Sequence, residues 1–71
     1  MGQSRTNMIP KAPVARILMK AGAQRVSAEA ATIFAEVLEE IAEEIGTKAV
    51  KIAIHSGRKT VHDGDIRLAA K

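Results

Sequence analysis

From Ala28 to His55 the chain contains no proline and a single glycine, Gly46, and its apolar residues fall on one helical face. Phe34, Leu38, Ile41, Ile45, Ala49 and Ile52 recur at steps of 4, 3, 4, 4 and 3, and Ile33, Val37 and Val50 widen the stripe. Glu36, Glu40, Glu43, Glu44, Lys48 and Lys51 take the other side, with Glu44 and Lys48 at a favourable i,i+4 spacing. A helix of that extent spans roughly 42 Å. Helices of ordinary globular domains are about half as long or less, and this one sits in a chain of 71 residues. Whatever fold forms must cover that face.

The flanks read as short helices. Pro10 and Pro13 bracket a helix start, where a missing N–H does no harm. Val14, Ile17 and Leu18 follow at i, i+3 and i+4, and Gly22 is a natural terminator. Gln24–Val26 is a brief extended link. Ser27 suits an N-cap for the long helix, with Glu29 near the positive end of its dipole. Ser56-Gly57 ends that helix, Arg58–Val61 forms a second extended link, and Asp63–Ala70 resumes helical spacing. Asp63 and Asp65 stand favourably in its first turn. Residues 1–8 are polar and aperiodic and read as a short flexible tail, leaving 9–71 as one all-α domain.

Two short helices cannot cover a face of that length. Chains of this size seldom draw more than roughly 3–5 kcal/mol from their own core, and commonly add disulfides, a metal or a partner. There is no cysteine, and two histidines, His55 and His62, with few acids nearby make no metal site. No cofactor is expected. A second copy is the remaining stabiliser. Two chains crossed at the middles of their long helices cover both faces, and each chain's first link then lies beside its partner's second link.

Charge is sorted along the chain. Residues 1–25 sum to +5 with no acid, 26–46 to −6 with no base, and 47–71 to +4, which together make the formal +3. In the crossed pair the basic segments meet and the acids are held apart, a layout suited to a polyanion. One aromatic, Phe34, excludes modules that stack bases on several rings. No apolar run approaches the ~20 residues of a membrane span, and no signal-peptide core is visible, so a cytoplasmic location is expected. With no Cys, no Tyr and no His in a nucleophile–base set, no catalytic residue is assigned.

Three runs then become informative together: Pro10-Lys11-Ala12-Pro13-Val14-Ala15-Arg16-Ile17, Ala21-Gly22-Ala23-Gln24-Arg25-Val26-Ser27, and His55-Ser56-Gly57-Arg58-Lys59-Thr60-Val61 with Asp65-Ile66. They closely resemble archaeal-type histones, without gaps from about Ile9 to Lys71. The resemblance implies the histone fold as an intertwined handshake dimer. It implies chromosome-associated packaging of double-stranded DNA in the nucleoid, without marked sequence preference, by homodimers that assemble further into tetramers or fibres. Pairing with a second histone stays open.

Site residues follow from the same resemblance. Arg25 corresponds to an arginine inserted in the DNA minor groove, a role suited to a weakly hydrated guanidinium. Lys59 and Thr60 correspond to phosphate contacts of the second link, and Arg16 to a phosphate-facing residue of the first helix. Lys20 joins them, because Met19 stands where relatives commonly carry a base. Ser27 is a helix cap first and a phosphate neighbour second. Arg58 resembles the arginine that pairs with Asp65 and fixes the second link. Ile52, His55, Asp65 and Leu68 correspond to a dimer–dimer interface, where a His–Asp pair would weaken assembly as pH rises. Gly22 matches a position where stacked fibres need a small residue.

The chain also departs from the pattern. Ile54 stands where many relatives carry Lys or Arg, Gly64 weakens the last helix, and the basic, aromatic C-terminal extension is missing. These features predict weaker phosphate contact and weaker dimer–dimer association. The competing function is a histone-fold interaction subunit of a transcription complex, a class that tends to lose the link bases.

Overall fold

A computed structural model of the chain describes residues 8–71. The tail expected over residues 1–8 therefore lies outside the described residues, except for Met8. Among the described residues there are three α-helices and no strand: α1 Lys11–Lys20, α2 Ala28–His55 and α3 Asp63–Ala69. The order is short, long, short.

The helix ends are local chemistry. Pro10 is the N-cap of α1, in extended backbone at φ −65° and ψ 147°, and Pro13 falls in the first turn. Both lack an N–H where a helix has no acceptor to offer. At the other end Gly22 takes φ 119°, the Ala23 N–H donates to the Leu18 carbonyl at 3.0 Å, and the Gly22 N–H donates to that of Met19 at 3.0 Å. This is a Schellman motif, and it consumes two of the orphan carbonyls of α1. α2 ends the same way: Gly57 has φ 76°, Arg58 N–H donates to Ala53 O and Gly57 N–H to Ile54 O, both at 2.9 Å. Ser27 Oγ accepts the Ala30 N–H at 3.0 Å and caps the start of α2.

The chain divides into two compact units, one reaching to Glu40 and the other beginning at Ile41. In the first, α1 and the opening half of α2 bury Val14, Ala31 and Ala35. The Met8 N–H donates to Glu39 Oε1 at 3.3 Å and ties the entry strand to the same helix. In the second, the closing half of α2 and α3 bury Ala49, Ala53 and Ala69, together with the carboxylate of Asp65.

Five of these six buried apolar residues are alanines. Alanine lets helix backbones approach but removes little apolar area from water. Ile33 is 57% exposed, Ile54 64% and Leu68 56%, while Val14 is 1% exposed. Ile17, Val37, Ile41 and Val50 are likewise exposed. Covering one such side chain fully is worth roughly 1.5–3 kcal/mol. A single chain leaves most of that stabilisation unrealised.

Candidate nucleic-acid interface

The first link, between α1 and α2, is braced at both ends. The Schellman motif directs the chain out of α1, and the Ser27 cap directs it into α2. Val26 is half-buried and anchors the segment, while Gln24, Arg25 and Ser27 are exposed. Arg25 makes no ion pair among the described residues. On α1, Arg16 and Lys20 are exposed and one turn apart, on a helix with no acidic residue. Like charges at that spacing repel. Their positive potential is uncancelled on their own helix.

The second link is organised by one guanidinium. Arg58 Nη1 donates to Asp65 Oδ2 at 2.8 Å and Arg58 Nη2 to Asp65 Oδ1 at 2.9 Å, the parallel geometry that suits a carboxylate. Nη1 also donates to the Thr60 carbonyl at 3.0 Å. Asp65 Oδ2 accepts a further hydrogen bond, from the His62 backbone N–H at 2.9 Å. The Asp65 side chain is only 6% exposed and that of Arg58 31%. The Arg58 hydrogen bonds, then the His62 N–H, hold the Asp65 carboxyl well below the usual carboxylate range, against the opposing effect of desolvation. The same contact raises the Arg58 pKa.

The network also shapes the backbone. Arg58–Val61 is not extended throughout, as its sequence suggests, but bends at Lys59 and Thr60. The guanidinium pulls the Thr60 carbonyl back toward Asp65, and a straight segment could not make that bond. Lys59 and Thr60 are left exposed on the bend, and Lys59 has no ion-pair partner among the described residues.

Of the four residues matched to a dimer–dimer interface, Ile52 is half-buried, while His55 and Leu68 are exposed. Asp65 is buried, with both oxygens engaged inside its own chain. At Gly22 a Cβ would meet nothing within 4 Å, so the need for glycine within one chain comes from φ alone.

One participant escaped the sequence reading. His62 precedes α3 and joins the network through its N–H. The signal was available: an acid three residues after a helix-start position is capping-box spacing. The Met8–Glu39 bond had no such signal, since 31 positions separate its partners. Among the described residues no three His, Asp or Glu side chains converge to hold a metal ion, and no helix is long and apolar enough to cross a membrane.

Two braced links with exposed bases, on a short–long–short helix order, can be set beside known proteins. The family described as "Histone-like transcription factor (CBF/NF-Y) and archaeal histone" matches residues 7–70. The chain belongs to this family. Its three helices are those of the histone fold. It is 56% identical over 63 residues to the archaeal histone HAN1 of Thermococcus zilligii, covering 89% of this chain and 94% of that one. The same identity and coverage hold for "Probable archaeal histone 3" of Methanocaldococcus jannaschii. Archaeal histones are DNA-binding chromatin proteins, not enzymes. That places the link bases of this histone on the surface where such chemistry belongs.

Proposed function

We propose that this histone packages double-stranded DNA as a homodimer, wrapping the duplex without marked sequence specificity and associating further into tetramers or fibres on the chromosome. The observation that carries the reading is the pair of rigid links, each leaving a base, Arg25 or Lys59, exposed and without an ion-pair partner among the described residues. Fixed cations at set positions suit a regular array of phosphates, and Arg25 suits a narrow, strongly negative minor groove. Arg16, Lys20, Ser27 and Thr60 complete the surface toward phosphate.

A second copy meets the other requirement. Ile33, Val37 and Ile41 are exposed on α2, and a crossed partner would withdraw them from water. Ile52, His55 and Leu68 then remain for contact between dimers, and Gly22 for close approach of stacked layers.

Titration of random-sequence duplex DNA at two salt concentrations tests the reading. DNA wrapping requires affinity that falls steeply with salt. An interaction subunit of a transcription complex predicts no such shift. Nuclease digestion of the reconstituted complex then separates assemblies: one protected length means a closed particle, and a ladder means extendable stacking. Sedimentation showing a monomer at micromolar concentration would overturn the homodimer.

A further inference from the structure

His62 lies two residues beyond Thr60 and belongs to the same small network. One guanidinium, that of Arg58, holds the Thr60 carbonyl at 3.0 Å and grips Asp65, whose Oδ2 holds the His62 N–H at 2.9 Å. The backbone of Thr60 and of His62 is thus fixed to one common group, while the His62 side chain remains exposed.

The ionisable groups around it nearly cancel. Arg58 is matched by Asp65 at 2.8 Å, and exposed Asp63 stands 3.9 Å from Arg67. No group of α2 pairs or hydrogen-bonds with His62 among the described residues; the last titratable groups of that helix are Lys51 and His55. With the imidazole neutral, Lys59 is the one cation of the second link without an ion-pair partner among the described residues. A protonated imidazole doubles that charge.

We infer that His62 is a proton-dependent phosphate contact: on duplex DNA its imidazole is held as the cation, and the second link engages phosphate with two unmatched charges instead of one. The inference rests on the DNA-binding reading above. Imidazole changes charge between about pH 5 and about pH 8, and a neighbouring phosphate favours the charged form. DNA binding by this chain then takes up protons, and its electrostatic strength varies with pH.

The test is a titration of random-sequence duplex DNA by the full chain across a salt series, at about pH 5.5 and about pH 8. The wild-type salt slope is expected to be steeper at the lower pH by up to about 0.9 for each His62 engaged, or about 1.8 per dimer. His62→Gln keeps the backbone N–H and should show the shallower slope at both pH values. His62→Lys should show the steeper slope at both, and His55→Gln should keep the wild-type pH dependence. A His62→Gln protein that retains the wild-type pH dependence overturns the inference, as does a wild-type slope that ignores pH. Absence of salt-dependent binding at either pH overturns the DNA-binding reading itself, a distinct result.

Discussion

Arg58 and Asp65 are joined by two parallel hydrogen bonds of 2.8 and 2.9 Å, and the same carboxylate caps the start of α3 through the His62 N–H. One side chain thereby closes the second link and opens the last helix. Its ionisation is coupled to folding. In the unfolded chain Asp65 titrates near 3.8, and in the folded chain well below that. A depressed folded pKa contributes stability that is present above the unfolded value and lost as pH falls through the folded one. Urea midpoints measured at one chain concentration should therefore fall below about pH 4. Asp65→Asn should be less stable at neutral pH and show a shallower acid limb. An unchanged acid limb in that variant would assign the effect to other carboxylates.

The two terminating glycines should respond differently to substitution. Gly57 at φ 76° lies near the left-handed helical region, whereas Gly22 at φ 119° lies beyond it, and neither would crowd a Cβ. Gly57→Ala should cost about 1–2 kcal/mol of backbone strain, with Gly57→Asn costing less, because asparagine tolerates that region. At Gly22 asparagine should give no such relief. Denaturant midpoints of the four variants read the difference directly.

Ser27 combines a cap with a place on the DNA-facing link, and two substitutions separate these roles. Ser27→Ala removes the acceptor of the Ala30 N–H and should cost about 1 kcal/mol in thermal unfolding. Ser27→Asp keeps an acceptor and adds a favourable charge at the helix start. It should hold stability while weakening DNA affinity. Equal DNA affinity for Ser27→Asp and wild type would confine Ser27 to the cap.

Arg25 is exposed on a braced link, so truncating it should leave the fold intact. Arg25→Ala should reduce the salt slope of duplex binding by about 0.9 per chain. Arg25→Lys should recover the slope but not the full affinity, because a strongly hydrated ammonium enters a narrow groove less readily than guanidinium. Full recovery by lysine would place Arg25 on phosphate rather than in the groove.

Much of the secondary structure was legible because its determinants are local. The apolar period of Phe34 to Ile52 marks α2, Pro10 and Ser27 mark helix starts, and Gly22 and Gly57 mark helix ends. The end of α3 fell one residue early, at Ala69, with Ala70 as its C-cap. The bend at Lys59 and Thr60 was not legible, because it depends on a side chain reaching across the link to Asp65. The Met8–Glu39 bond joins residues that no periodicity relates.

The sequence by itself determined where the helices run, how they end and the basic–acidic–basic order of charge. Each of these depends on residues within one or two turns of each other. Only the tertiary structure decided which members of the apolar stripes are covered. Periodicity names a face, but burial depends on how closely two helix backbones approach. Here the close approach falls on Ala31, Ala35, Ala49, Ala53 and Ala69, and it leaves Ile33, Ile54 and Leu68 in water. Tertiary structure also decided that Asp65 is engaged within its own chain, because its partners are brought to it by the turn at Gly57 and the bend that follows.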